Sequence, residues 1–384
     1  MKYDFIVLGA DGIQGRIVVR DLLESGYAVF ASDICKTKIT PLLKKYPKRS
    51  IFRFADLRNT DEAVAVIRKS SADVVVNCAD MYWNVNVYKA CLAAKRHCID
   101  LGSWIELTRT QLGMNARFKK IGKTAVTGCG SVPGIGNVML RYASQKFDIL
   151  ESVDVGFAWN SNQKKFVEPF SMKSILEEFT YNPRYVKNNR WVESKPLRVS
   201  IKRRHRLIGL QKSFLVQHPE LYTFYRYYKS KGLKNVRFFA GFPNHSVDKI
   251  YALIDMNFHS DRPVVIEGMR IAPFDLLAPV LKTLPWPKGY TEEENLWVDI
   301  SGKKNGKKRK ILMECLVPVV KGWEKAGCNI DTGFPASIIA QMIKHGEIMK
   351  SGSFAPEVLV PAEPFFKALA KKRLKVYENG KRIN

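Results

Sequence analysis

The sequence predicts an α/β protein, with a doubly wound parallel sheet over its first third and a second, mixed α/β domain after it. Three observations lead there. Short apolar runs alternate strictly with amphipathic stretches through residues 1–130. Three glycines, Gly9, Gly12 and Gly15, mark the join between the first apolar run and the first amphipathic stretch. After Pro133 the apolar runs lengthen and alternate in and out, as half-buried strands do.

The elements follow in order. "FIVLG" reads as a strand and "GRIVVRDLLESG" as its helix. "AVFASD" is a second strand, with a short helix near Ile39–Lys45. "IFRFAD" is a third, followed by the helix "NTDEAVAVIRKS", which Asn59 or Thr60 can cap. "ADVVVNCA", "HCIDLG" and "KTAVTGCG" supply strands four to six, with helices over "NVNVYKACLAAKR" and "RTQLGMNARFKKIG" between them. In the second domain, "SVDVGFAW", "NVRFFAG" and "LWVDISG" are strands, and "SMKSILEEF" and "SVDKIYALIDMNF" are helices. Asn305-Gly306, between "LWVDIS" and "KILMECLV", predicts a tight hairpin. From Thr332, "TGFPASIIAQMIKHGEI" reads as a helix opened by Gly-Phe-Pro, and a last helix covers Glu363–Lys372. The expected division is 1–130, 131–331 and 332–384.

Composition narrows the class. Hydrophobic residues make up 46% of the 384, enough for buried cores. No run reaches the roughly 20 apolar residues of a bilayer span, and the N-terminal stretch lacks a secretory pattern, so a cytoplasmic protein is expected. The seven cysteines form no CxxC and no zinc-like spacing, so free thiols and no metal are expected. The 63 Lys+Arg against 36 Asp+Glu would suit an anionic partner. The basic runs "KRRHR" and "KKNGKKRK" lack interleaved aromatics, so no specific nucleic-acid binding is expected.

The glycine loop has the context a dinucleotide site needs: a strand before it, a helix after it, and an acid ending the second strand. Gly9 permits the turn, Gly12 lets the backbone approach a pyrophosphate, and Gly15 brings the helix close to the sheet. Asp11, Ile13 and Gln14 fill the loop, and the helix N-terminus offers free N–H groups. The spacing is GxxGxxG, one residue longer than usual. Asp33 stands where an acid grips the adenosine ribose, which favours NAD(H). Lys36 and Lys38 nearby leave NADP(H) open. Asp56 and Leu57, after the third strand, are placed for the adenine, and Asn77, Cys78 and Ala79 for the ribose nearest the nicotinamide.

Several further stretches, "ADVVVNCADMYWNVNVYKACLAAKRHCIDLG", "TAVTGCGSVPGIGNVML", "FSMKSILEEFTYNPRYVKNNRWVESKPL" and "DTGFPASIIAQMIKHGEIMKSGSFAPEVLVPAEPFF", span most of the chain. Together they resemble the saccharopine dehydrogenase family, in its saccharopine reductase and carboxynorspermidine dehydrogenase branch. The resemblance implies a variant Rossmann domain, a second domain for substrate binding and homodimer formation, and C-terminal helices returning to the first. It implies hydride transfer between a nicotinamide and an imine–secondary amine pair, in an anionic amino acid or polyamine conjugate. Saccharopine-reducing members often carry aspartates where this chain has Val132 and Gly136.

Candidate chemistry is sparser. His218 is an acid/base candidate by its near-neutral pKa, and Asp100 by its place at the end of the fifth strand. Tyr82, Ser131, Thr332 and Gly333 are candidate substrate walls, and Lys164, Lys165 and Arg184 candidate partners for substrate carboxylates. The competing reading is a catalytically silent dinucleotide-binding regulator.

Overall fold

The computed structural model describes residues 2–167, 172–285 and 287–384. The stretch "FAWNSNQKKFVEPFS" is described through Val167, while residues 168–171 lie outside the described residues.

Six short apolar runs become β1 (Phe5–Leu8), β2 (Val29–Asp33), β3 (Ser50–Phe54), β4 (Val74–Asn77), β5 (His97–Asp100) and β6 (Thr124–Val126). All their pairings are parallel, in the order β6-β5-β4-β1-β2-β3. Helices cover both faces, which is why β1 is apolar at every position. Phe5 and Val7 enter one core cluster, and Ile6 and Leu8 enter another. The capping expectation holds: Asn59 Oδ1 accepts from Asp61 N at 2.9 Å at the start of helix Thr60–Ser70. The helix expected over "RTQLGMNARFKKIG" is instead two, Ile105–Gly113 and Asn115–Lys120. Gly113, a poor helix former, ends the first at Met114.

The second sheet is mixed and has ten strands. It contains β7 (Ile149–Ser161), β8 (Arg184–Lys187), β9 (Arg190–Glu193), β10 (Ser200–His205), β11 (Gly209–Val216) and β12 (Asn235–Gly241). A separate small hairpin joins β13 (Val264–Ile266) to β14 (Met269–Ile271). The long pair β15 (Glu292–Lys304) and β16 (Lys307–Val317) turns at Asn305-Gly306, with φ of 50° and 74°. Two left-handed residues match the strand twist, as the Asn-Gly signal predicts. The sheet's spine runs β10-β11-β12-β7-β15-β16, and only β12–β7 is parallel along it.

The C-terminal segment serves both sheets. Its helix Ile330–Lys344 begins before the expected Gly-Phe-Pro opening. Pro335 is tolerated there because its missing N–H deprives only the carbonyl of Asp331. This helix lies on helix Ile13–Glu24. Then β17 (Gly352–Phe354) pairs parallel with β6 as a seventh strand of the first sheet. Finally β18 (Lys375–Glu378) and β19 (Lys381–Arg382) extend the second sheet beside β16. Among the described residues no helix is long and apolar enough to cross a membrane.

One buried carboxylate ties the two ends of the chain together. Asp21 is 1% exposed, accepts from Ser337 Oγ at 2.6 Å and pairs with Lys372. Replacing Asp21 by Asn leaves Lys372 without its counter-charge. The expected loss is about 2 kcal/mol, discounted from a fully buried pair because Lys372 is partly solvated; urea unfolding of D21N against the parent measures it.

Candidate functional site

The glycine loop forms a tight cradle at the end of β1. Gly9 has φ +70°, and a Cβ there would lie 2.4 Å from Ala79 N. A Cβ on Gly15 would lie 2.0 Å from Gly9 O, so helix and loop touch through bare backbone. At Gly12 a Cβ would meet only Gly9 O, at 3.3 Å. The backbone is therefore bare on the side where a pyrophosphate would rest, and the first helical turn leaves its N–H groups free of intrahelical partners. The cradle fits a dinucleotide.

The side chains around it take roles the sequence does not announce. Asp11 does not face a phosphate. It is 7% exposed and accepts from Ile39 N at 2.6 Å and Thr37 Oγ1 at 3.1 Å, which fixes the loop after β2. Asp33 accepts from Asp11 N at 2.9 Å and Ile34 N at 2.7 Å, so its carboxylate shapes this turn. Asp56 is forked onto Arg58, and Leu57 is buried in the core rather than presented to a base. Gln14 Nε2 reaches Asn329 Oδ1 at 2.7 Å, bridging the loop to the segment before helix Ile330–Lys344. Asn77 bonds Asn84, and Asn84 bonds the carbonyl of Gly102, which joins the β4 and β5 ends.

A cleft of about 500 Å³ opens beside this cradle, between the first sheet's C-terminal edge and the second sheet. Ile13, Gln14, Cys78, Ala79, Tyr82, Ser131, Thr332 and His218 all line it. Four sequence expectations fail here. Asp100 is fully buried behind the wall, where it accepts from Tyr88, Gln111 and the N–H groups of Gly102 and Gly128. It braces the loops and is not a catalytic group. Gly333 faces Ile17, which a Cβ would meet at 2.3 Å, so it is a packing position. Lys164, Lys165 and Arg184 are exposed and outside the cleft. Nor do cations line it: Lys173 is the one lysine or arginine among its described lining residues.

The walls are acidic instead. Helix Met172–Thr180 buries Ile175, Leu176 and Phe179 and turns Glu177 and Glu178 to the cleft. On β15, Leu296, Val298 and Ile300 point into the core, and the same face ends in Glu294 at the cleft. Asp331 closes that side. Burial raises Glu178 to about 7, helped by Glu177 and Glu220 and opposed by His218. Burial likewise raises Asp331 to about 7.

His218 caps helix Pro219–Tyr228 and stacks on Phe238, with ring centroids 4.0 Å apart. Its Nδ1 lies 2.5 Å from Glu220 Oε2. Burial alone would lower its pKa, but the charges of Glu220 and Glu178 lift it above the ordinary value. Sequence reading found His218 but missed Glu178, Glu220, Glu294 and Asp331. The signal for Glu294 was present, as an acid in phase with a core-facing strand.

Two family models cover nearly all of the chain. The saccharopine dehydrogenase NADP binding domain matches residues 5–126, and the saccharopine dehydrogenase C-terminal domain matches residues 119–374. The chain belongs to the saccharopine dehydrogenase family. It is thereby an oxidoreductase with a nicotinamide-dinucleotide domain. The matched description names NADP and lends no support to the NAD preference expected from Asp33. A carboxynorspermidine synthase from Vibrio alginolyticus is 24% identical over 347 residues, 85% of this chain and 82% of that protein. A carboxyaminopropylagmatine dehydrogenase from Synechocystis is 24% identical over 336 residues, 84% and 83% of the two chains. The apo saccharopine dehydrogenase (L-Glu forming) of Saccharomyces cerevisiae shares the fold over 100% of both chains, with TM-score 0.77 and 14% identity.

The cradle gives a sharp test. At Gly12 the extended backbone suits any residue, and the new Cβ would press on Gly9 O at 3.3 Å, so Gly12→Asp should lower the melting temperature only modestly. Cofactor affinity should fall at least about tenfold, because an anion would sit against the pyrophosphate; fluorescence titration with NADH and NADPH measures it.

Proposed function

We propose that the protein is a nicotinamide-dependent dehydrogenase that makes or oxidises a secondary amine, and that its amine substrate is a cation. The observation that carries this reading is the acidic lining of the cleft: Glu177, Glu178, Glu294 and Asp331 against Lys173 and the imidazole of His218 among the described residues. Carboxylates in a partly dry cleft favour an ammonium or guanidinium and reject a second anion. This replaces the expectation of an anionic substrate held by lysines and arginines. The names of two relatives point the same way, since norspermidine and aminopropylagmatine are cationic amines.

The chemistry asks for few groups. An amine and an aldehyde condense with loss of water, and the resulting iminium accepts a hydride at carbon. A bound reduced nicotinamide supplies that hydride. The backbone of Gly9–Gly15 would hold the pyrophosphate, and Ala79 would flank the ribose beside the cleft. His218 donates the proton that lets water leave. With Nδ1 engaged by Glu220, Nε2 is the ring nitrogen left for the cleft. Glu178, on the facing helix, stabilises the iminium charge.

Turnover should require both an aldehyde and a primary amine, and reduction of an aldehyde alone at the same rate would refute the imine reading. His218→Gln should lower kcat roughly 100-fold with little change in KM. Because His218 acts protonated and its pKa is raised, the reductive rate should hold past the usual histidine range and fall as pH rises through the raised value. Glu220→Gln removes the charge that lifts it, so that fall should move to lower pH in a steady-state pH profile.

For the cofactor, we propose that Asp33 sets a preference for NAD(H). Its carboxylate accepts ribose hydroxyls and repels a 2′-phosphate. Asp33→Ala should weaken NADH binding and relatively favour NADPH. Tighter binding of NADPH than NADH by the parent would overturn this and assign Lys36 and Lys38 to the phosphate.

A further inference from the structure

The proposed chemistry leaves one buried acid behind His218 unused. Glu220, inaccessible to solvent, gives Oε2 to His218 Nδ1, and its Oε1 is buried without a partner among the described residues. One turn later the same face of helix Pro219–Tyr228 carries Thr223. Thr223 turns its hydroxyl to the carboxyl of Glu357, which is 3% exposed in the short helix Pro356–Leu359 after β17. Asn137 Nδ2 donates to Glu357 Oε2 at 2.7 Å. Asn137 Oδ1 in turn accepts from Gly134 N at 2.8 Å, next to the Pro133 wall of the cleft. Three distant stretches of chain thus meet behind the imidazole.

No cation neutralises Glu357 there. The guanidinium of Arg141 reaches the segment, but it is spent on the carbonyls of Glu357 and Val358. Tyr227 and Tyr228, which also face Glu357, are held neutral by burial. Among the described residues, the ion pair of this region is His218 with Glu220. On the cleft side, Glu178 faces His218 from helix Met172–Thr180.

We propose that Glu357 is a positioning residue for the proton donor: acting through Glu220, it keeps the His218 imidazole loaded with its proton into the alkaline range. This rests on the reading of His218 above and deepens it. Burial and the charge of Glu220 resist ionisation of Glu357, Asn137 and Thr223 oppose them, and the balance raises Glu357 to about 7. An ordinary imidazole is mostly neutral at that pH. Here a second negative charge appears as the proton would otherwise leave. Across a dry interior, a charge behind Glu220 makes that loss costlier. Glu178 acts in the same sense from the other side. No proton passes through Glu220. His218 gives its proton from Nε2 to the departing hydroxyl and regains one there from cleft water, while Nδ1 keeps its own.

The test follows the imidazole itself, by NMR titration of the full chain labelled at its histidine nitrogens. Loss of the signal in His218→Gln assigns it. Glu357→Gln keeps an acceptor for Asn137 and removes the charge. It should lower the His218 midpoint by at least about half a pH unit, roughly threefold in proton affinity. Thr223→Val is near-isosteric and removes the hydroxyl that favours ionised Glu357, so it should lower the midpoint by less. Glu363→Gln, exposed on the last helix, should leave it in place. The alkaline fall of the reductive rate should move with the midpoint, with KM unchanged. Thermal melts accompany each variant, and Thr223→Val decides if Glu357→Gln does not fold. A midpoint unmoved in the folded variants, or a loss of kcat without a shift in the pH profile, would overturn the proposal. Failure of the amine reading looks different: the midpoint would still move with Glu357, while no amine–aldehyde pair oxidised the reduced cofactor.

Discussion

The cleft depends on one buried carboxylate. Asp100 is inaccessible to solvent, and burial raises its pKa, opposed by the hydrogen bonds it accepts. These come from Tyr88 OH at 2.8 Å, Gln111 Nε2 at 2.7 Å, Gly102 N at 2.7 Å, Gly128 N at 3.1 Å and Thr127 Oγ1 at 3.2 Å. Each charge-assisted bond contributes about 1.5–3 kcal/mol and offsets the desolvation of the charge. Gly102, Thr127 and Gly128 lie on or beside the two loops, 101–104 and 128–133, that wall the cleft, and Tyr88 and Gln111 anchor the carboxylate to helices Asn84–Ala94 and Ile105–Gly113. Pro133 seals the arrangement, since a Cβ on either Gly102 or Gly128 would strike its ring. The group that organises the site is thus one that never touches it.

The charge of the protein and the charge of its cleft have opposite signs. The chain carries a formal excess of 27 positive charges, yet its cleft is acidic. The cations gather elsewhere, as on the β15–β16 hairpin tip and on β10. A basic exterior does not attract a cationic substrate from a distance. At physiological salt, however, the Debye length is about 8 Å. Surface charges beyond that range are screened, while acids in a half-dry cleft, held against ionisation by burial, gain from a cation placed directly against them. Recognition of the proposed amine would therefore be local, set by desolvated acids rather than by the field of the whole molecule.

The parallel sheet was legible because its strands are short, apolar and separated by clean helical periods. The glycine cradle was legible because a turn without Cβ atoms leaves a compositional mark. The Asn305-Gly306 hairpin followed from backbone conformation alone. What stayed hidden was long-range. β17 has only three residues, and it is a strand because β6 offers it an edge. Asp331 and Glu294 are far apart in sequence, and no local pattern announces their meeting. Asp100 misled for a related reason: an acid at a strand end has the same local sequence whether it faces ligand or backbone. The acidic cleft was obscured by composition, because a global excess of lysine says nothing about a few buried glutamates.

The late arrival of β17 bears on how the chain is made. A ribosome releases β6 more than two hundred residues before it releases Gly352–Phe354. At cellular elongation rates that interval is roughly 10–45 s. Throughout it, the nascent nucleotide domain carries an unpaired parallel edge at β6, the kind of edge that recruits foreign strands. The N-terminal domain therefore cannot complete its sheet as it emerges, and must wait for the far end of its own chain.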